Sequence, residues 1–361
     1  MTSGPAGVGI HQVLVSASPG DAITNLALGT RRLLRRVGPS EIYAYHIAPE
    51  LHDDVLPLAS YRALHARNLL IFHASIGQSA VHEFLTTRTE PLVLVYHNVT
   101  PGKYFEPYDP VFADLLDLGR REVERLLPRV VGAIADSEYN ARELEAMGYR
   151  DVRVVPPVLN LRRLSKVAPR ESTVRHLESL DGPILLSVGQ LLPHKRPDFL
   201  VQMMHIAETY LDLRGFLMLV GHQRLERYNR AIREQVLELN LPGVHVVGAV
   251  DEADLSAMFH SADAVVTASE HEGFCIPLLE AMTFEKPILA RSCAAIPETV
   301  GDAALLLPES EGPAIFAEAA TELLSDARLR DQLVAGGRRR LEELERHPPD
   351  VAVVEALLQV V

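Results

Sequence analysis

Short apolar runs alternate along this chain with segments whose apolar residues recur every three or four positions. In the first half the runs are QVLVS (12–16), IYAY (42–45), LLIFH (69–73), LVLVY (92–96), VVGAIA (130–135) and DVRVVPP (151–157). In the second half they are ILLSVG (184–189), FLMLVG (216–221), VHVVG (244–248), AVVTA (264–268), PILA (287–290) and ALLLP (304–308). Several are apolar at every position, the pattern of parallel strands covered on both faces. The intervening segments, such as NLALGTRRLLRRV (25–37), VFADLLDLGRREVERLLP (111–128) and YNRAIREQVLELN (228–240), predict the covering helices. Repeated strand–helix alternation predicts an α/β fold with a doubly wound parallel sheet in each half.

Strand periodicity stops in the charged segment 159–183 and resumes at Ile184. The expected organisation is a Rossmann-like domain over 1–165 and a second over 166–345, facing a cleft. A last helix over 346–361, after Pro348–Pro349, is expected to pack back on the first domain. In such sheets ligands bind outside the carboxyl ends of the strands.

The 361 residues suit two cores better than one, and 47% of them are hydrophobic. Thirty-five basic against forty-eight acidic residues leave a formal charge of −13. That balance argues against a nucleic-acid surface, which needs clustered cations. The basic patch RRLLRR (31–36) reads as a solvated helix face, so peripheral membrane contact has no support. No apolar run reaches membrane-spanning length and the start lacks a signal-peptide pattern, so a cytoplasmic location is expected. Cys275 and Cys293 form no metal-ligand spacing. GVGIHQ (7–12) reads as preceding its strand and lacks a third glycine, which argues against a nicotinamide cofactor. Asp-x-Asp occurs nowhere, and His73 and His82 lack zinc-ligand spacing, so no metal site is expected.

Chemistry concentrates at two strand-to-helix turns of the second half. In SVGQLLPHKRPD, Gly189 lets backbone approach a ligand and Pro197 suits a first helical turn, with Lys195 and Arg196 at the mouth. The turn reads as a diphosphate clamp or as an ordinary connection with solvated cations. In SEHEGFCIPLLEAM (269–282), Glu272 falls in the turn and Glu280 about one helical turn inside. A carboxylate accepts two hydrogen bonds side by side, which suits neighbouring sugar hydroxyls. Backbone N–H groups from Gly273 through Phe274 to Cys275 are placed to meet a phosphate or hydroxyl. Two solvated glutamates are the weaker alternative, because CIPLLEAM is otherwise apolar.

These two turns resemble those of the family 4 glycosyltransferases, retaining enzymes of the GT-B fold. EGFCIPLLEAM matches the family's Glu-x7-Glu signature, SVGQLLPHK its phosphate-binding turn, and IPETVGDAALLLPE its following segment. The resemblance implies that Glu280 holds the ribose of a nucleoside diphosphate sugar. It further implies that Glu272, with the backbone of Gly273 and Phe274, contacts the transferred sugar, and that Lys195 neutralises the leaving diphosphate. Two departures stand out. Gln190 replaces the family's arginine, with Arg196 beside it as a substitute cation, and Cys275 replaces the turn's second glycine.

In the first half, His97 in VYHNVTPGKYF and Gly20 with Asp21 in SPGDAITN lie at strand ends resembling cleft-lining segments of sugar-transferring relatives. His97 reads equally as a sugar contact and as a satisfied core residue. Gly77 and Gln78 are candidate acceptor contacts, and Ser137 of ADSEYN reads as a helix cap. The resemblance implies hexosyl transfer from a UDP- or GDP-linked sugar to a glycan, lipid-linked or small-molecule hydroxyl, with no cofactor beyond that co-substrate. The alternatives are a non-catalytic GT-B-like subunit that binds nucleotide sugar or glycan, and a sugar-nucleotide epimerase.

Overall fold

The computed structural model describes residues 8–65, 67–157, 160–346 and 349–358. Expectations that fall on residues 1–7, Leu159, Pro348 and 359–361 lie outside the described residues. Contacts divide the chain into two units, one ending at residue 159 and resuming at 347, the other spanning Asn160–Arg346.

The described strands of the first unit are β1 (Val8–Ala17), β2 (Ile42–Ile47), β3 (Leu56–Pro57), β4 (Arg67–Ala74), β5 (Leu92–Tyr96), β6 (Val130–Ala135) and β7 (Arg153–Val154). Its helices are α1 (Ala22–Leu34), α2 (Ser79–Thr87), α3 (Pro110–Leu126) and α4 (Glu138–Ala146). In the second unit α5 (Glu171–Glu178) leads into β8 (Ile184–Val188), α6 (Pro197–Tyr210), β9 (Phe216–Val220), α7 (Glu226–Glu238), β10 (Val244–Gly248) and α8 (Glu252–Ser261). There follow β11 (Ala264–Thr267), α9 (Ile276–Thr283), β12 (Ile288–Ser292), α10 (Ile296–Val300), β13 (Ala304–Pro308), α11 (Pro313–Ser325) and α12 (Ala327–Arg346). The last helix, α13 (Pro349–Leu358), belongs to the first unit.

Both sheets are parallel throughout their described pairs, in the orders β3-β2-β1-β4-β5-β6-β7 and β10-β9-β8-β11-β12-β13. This is the doubly wound α/β architecture the apolar runs predict. Leu69, Leu70, Ile71 and Phe72 of β4 are all buried, as a strand covered on both faces requires. Strand order reverses at β1/β4 in one sheet and at β8/β11 in the other. At such points neighbouring connections leave toward opposite faces and open a crevice at the carboxyl ends.

Three elements differ from the sequence expectation. β1 already begins at Val8, so residues 8–12 are strand and do not precede it. The polar pair His11 and Gln12 hid it; both are buried and hydrogen-bonded within the fold. β7 shrinks to two residues because Pro156 and Pro157 lack the N–H a ladder needs. β3 is too short to show a period.

One core cluster of the first unit joins Val8 and Ile10 of β1, Ile71 of β4 and Ile134 of β6 to Ala356 and Leu357 of α13. Completing that core is what buries the apolar face of α13.

Candidate functional site

Two connections meet at the β8/β11 switch point. After β8 the backbone turns at Gly189, whose φ of 152° favours glycine; a Cβ there would face open space. Sequence reading missed what fixes this turn. A Cβ on Gly221, just past β9, would come 1.8 Å from the Gly189 carbonyl oxygen, so only glycine lets the two strand ends pack. Gln190 is exposed.

The connection after β11 is tied down from several sides. The Glu270 N–H donates to the His194 carbonyl at 2.7 Å, joining the two turns. The Cys293 thiol donates to the Glu270 carbonyl at 2.7 Å, and the Thr299 hydroxyl donates to the Phe274 carbonyl at 2.5 Å. Gly273 lies between these anchors. The anchoring roles of Glu270, Cys293 and Thr299 were not readable from the sequence, since they arise only from packing between β11, β12 and α10.

Held in this frame, the Lys195 ammonium donates to Glu272 Oε1 at 2.5 Å. The glutamate side chain is 6% exposed and the lysine 27%. Burial pulls the lysine pKa down, but Glu272 and then Cys275 outweigh it, so the net shift is upward and Lys195 stays charged. Burial, reinforced by Lys195, pushes the neighbouring His194 well below the usual imidazole range, so it is neutral.

Helices α6 and α9 begin here in the same unusual way. Their N-cap residues, Arg196 (φ 53°) and Cys275 (φ 69°), are left-handed and give no side-chain cap. By contrast, Asp21, Asp109, Ser137 and Asp251 cap α1, α3, α4 and α8 with their side chains. No side chain caps the starts of α6 and α9, a feature they share with α5, α7, α10 and α11. A left-handed Cys275 also explains why this turn favours glycine. Burial, then Glu272, pushes its thiol well above the usual range, so it stands protonated and is no nucleophile.

Arg196 is engaged otherwise than the substitute-cation expectation supposes. Its guanidinium pairs with Asp198 at 3.0 Å and with Glu270. Two carboxylates compensate its charge.

Glu280 lies half-buried on α9, and its carboxylate makes no hydrogen bond or salt bridge among the described residues. Burial raises its pKa to about 7, against a smaller pull downward from Arg163 and a push upward from Glu252. An underused acceptor of this kind suits a ligand hydroxyl.

In the first unit, His97 follows β5 with its side chain 6% exposed; Nδ1 meets Asp136 Oδ2 at 2.7 Å and Nε2 meets His73 Nδ1 at 2.8 Å. Both ring nitrogens are committed, as in a satisfied core residue. Gly20 turns the chain with φ 76°, and Asp21 Oδ2 accepts from the Thr24 N–H at 2.8 Å, so capping accounts for Asp21. Ser137 caps α4 as expected, accepting from the Asn140 N–H at 3.1 Å. Gly77 is explained by packing, since a Cβ there would lie 2.6 Å from the Gly119 nitrogen of α3. The Gln78 N–H donates to Glu122 at 2.9 Å, and its side chain caps α2.

Among the described residues no group of three or more His, Cys, Asp or Glu side chains is placed to hold a metal ion. No described helix is long and apolar enough to cross a membrane.

Residues 170–340 match the family model described as glycosyl transferases group 1. A D-inositol 3-phosphate glycosyltransferase of Frankia alni is 28% identical over 230 residues, 61% of this chain and 56% of that protein. The chain thus spans about half the length of the first curated relatives it matches. A GDP-mannose-dependent alpha-mannosyltransferase of Mycobacterium tuberculosis is 26% identical over 85% of this chain and 68% of its own length. Among solved structures, a Thermosynechococcus elongatus sucrose-phosphate synthase aligns over 98% of both chains with TM-score 0.74 and 19% identity. Anabaena HepE in complex with UDP and glucose aligns over 96% of this chain and 99% of its own, with TM-score 0.75 and 14% identity. The second unit thus carries the match to the group 1 glycosyl transferase model, and the two parallel-sheet units have the fold of the GT-B glycosyltransferases.

Proposed function

We propose that the chain transfers a hexosyl unit from a nucleoside diphosphate sugar to a hydroxyl acceptor, with retention and without a metal ion or other cofactor. The observation that carries this reading is the Lys195–Glu272 pair between the uncapped starts of α6 and α9, at a sheet switch point. The names of the relatives, acting on mannosyl and inositol phosphate substrates, and the UDP bound by HepE support it.

In this reading the diphosphate lies against Lys195 and the first-turn amides of α6 and α9, and Glu280 accepts from the ribose hydroxyls. Glu272 faces the sugar hydroxyls. As the anomeric C–O bond breaks, its electron pair leaves with the diphosphate, and preorganised positive charge at that oxygen lowers the barrier. The acceptor hydroxyl bonds to the anomeric carbon and gives its proton to the departing phosphate, so no side chain need be the nucleophile.

The test is thermal stability with UDP, GDP, ADP or NAD in the presence of EDTA, followed by product analysis with the matching sugar nucleotides. Ligand at a hundredfold excess over Kd adds about 2.7 kcal/mol. A shift with UDP or GDP, then transfer, is expected; no shift with either would sink the donor site. A second reading, a subunit that binds the nucleotide sugar without turning it over, is favoured by Gln190 and by the compensated Arg196. Binding without transfer to any acceptor would establish it.

A further inference from the structure

Four side chains of the first unit form one line of hydrogen bonds across β1, β4 and the ends of β5 and β6. The Gln12 amide donates from Nε2 to the Ala27 carbonyl at 3.0 Å, which fixes its orientation. Its Oε1 therefore faces His73 Nε2, 2.8 Å away, and that nitrogen must carry a proton. His73 Nδ1 lies 2.8 Å from His97 Nε2, so one proton must sit between two nitrogens that would otherwise oppose lone pairs. His97 Nδ1 meets Asp136 Oδ2 at 2.7 Å, and a third proton sits there. Three contacts thus need three protons, whereas a carboxylate and two neutral imidazoles supply two.

We propose that this line stores the additional proton, that His97 holds it as an imidazolium against the Asp136 carboxylate, and that Gln12, His73 and Asp136 are positioning residues for it. With the proton on the imidazole, the 2.7 Å contact is a charge-assisted hydrogen bond from His97 to an ionised carboxylate. His73 is excluded as its holder: burial, then His97, pushes it well below the usual imidazole range. A cavity of about 30 Å³ over the line, room for a water or two, is walled by Leu26, Ile71, Val95, Ile134, Val353 and Leu357. Thr30 is the remaining polar group on its wall. His97 is then a donor on both nitrogens and unavailable as a general base, which narrows its expected catalytic role to that of a fixed cation. That functional meaning rests on the transferase reading; the protonation state does not.

The experiment is a long-range proton–nitrogen correlation spectrum of the full chain with 15N-labelled histidine at about pH 8, where ordinary imidazoles are neutral. The expected result is one ring protonated on both nitrogens, absent from the spectrum of His97→Gln, and one ring protonated at Nε2 alone, absent from that of His73→Gln. Asp136→Asn is expected to abolish the doubly protonated ring while circular dichroism stays unchanged. A wild-type spectrum without a doubly protonated ring overturns the proposal whether or not the variants fold. Its persistence in folded Asp136→Asn does so too. Absence of transfer activity beside an intact signature would remove the transferase reading and leave the stored proton standing.

Discussion

At the scale of single residues, Lys195 and Glu272 have to be considered together. The sequence marks each of them as a site residue, but that they form a salt bridge follows only from the Glu270–His194 link between their turns. Lys195→Ala is expected to lower turnover about 100-fold or more by removing charge from the leaving group. It also strands a buried carboxylate, so chemical denaturation should show a loss of about 1–3 kcal/mol, moderated because the lysine is partly exposed. Lys195→Ala with Glu272→Gln should regain most of that stability without regaining turnover; recovery of both would make the pair purely structural. Glu280 makes a pH-dependent case. Its folded value of about 7 lies above the ordinary 4.5, so the folded protein keeps a proton there that the unfolded chain has released. This group's contribution is therefore fully present below pH 4.5 and is lost as pH rises toward 7. Glu280→Gln should be more stable than wild type by about 1–2 kcal/mol at pH 8, allowing for partial exposure, and equal to it at pH 4. If Glu280 accepts from both ribose hydroxyls as a carboxylate, UDP or GDP affinity should fall below pH 7 in wild type beyond what phosphate protonation causes, and that excess should vanish in the variant.

At the scale of elements, the strand ends decide where ligand chemistry sits. Gly189 was legible because it follows an apolar strand and precedes Pro197. Gly221 was not, since its constraint is the carbonyl of Gly189, thirty-two positions away and adjacent only across the β8–β9 pairing. Gly221→Ala must displace the Gly189–Gln190 turn. Calorimetric titration with UDP or GDP is expected to show affinity lowered about tenfold or more, with a stability loss of about 1–3 kcal/mol. Wild-type affinity would mean the turn does not touch the nucleotide. The same logic separates the helix starts. Asp and Ser caps are readable as helix signals, and Ser137 was read so, whereas the left-handed starts of α6 and α9 are imposed by the turns before them.

On the scale of the whole molecule, the chain leaves the second unit after α12 and returns to the first, where Ala356 and Leu357 of α13 complete a core begun at Val8. Removing residues 347–361 should therefore destabilise the first unit by about 3–5 kcal/mol while leaving UDP- or GDP-induced stabilisation of the second intact. Calorimetry resolving two transitions would show it, and an equal fall in both would contradict the division. The sequence by itself determined the strand–helix alternation, the two parallel sheets and the two turns where polar chemistry gathers. These are local, written in hydrophobic period, glycine and proline placement, and charge. Only the tertiary structure decided that Lys195 pairs with Glu272, that Arg196 is compensated by Asp198 and Glu270, and that His97 belongs to a line reaching Gln12 through His73. Apart from the local Arg196–Asp198 contact, each of those facts depends on strands distant in sequence lying side by side in a sheet, and no local pattern records which strand ends become neighbours.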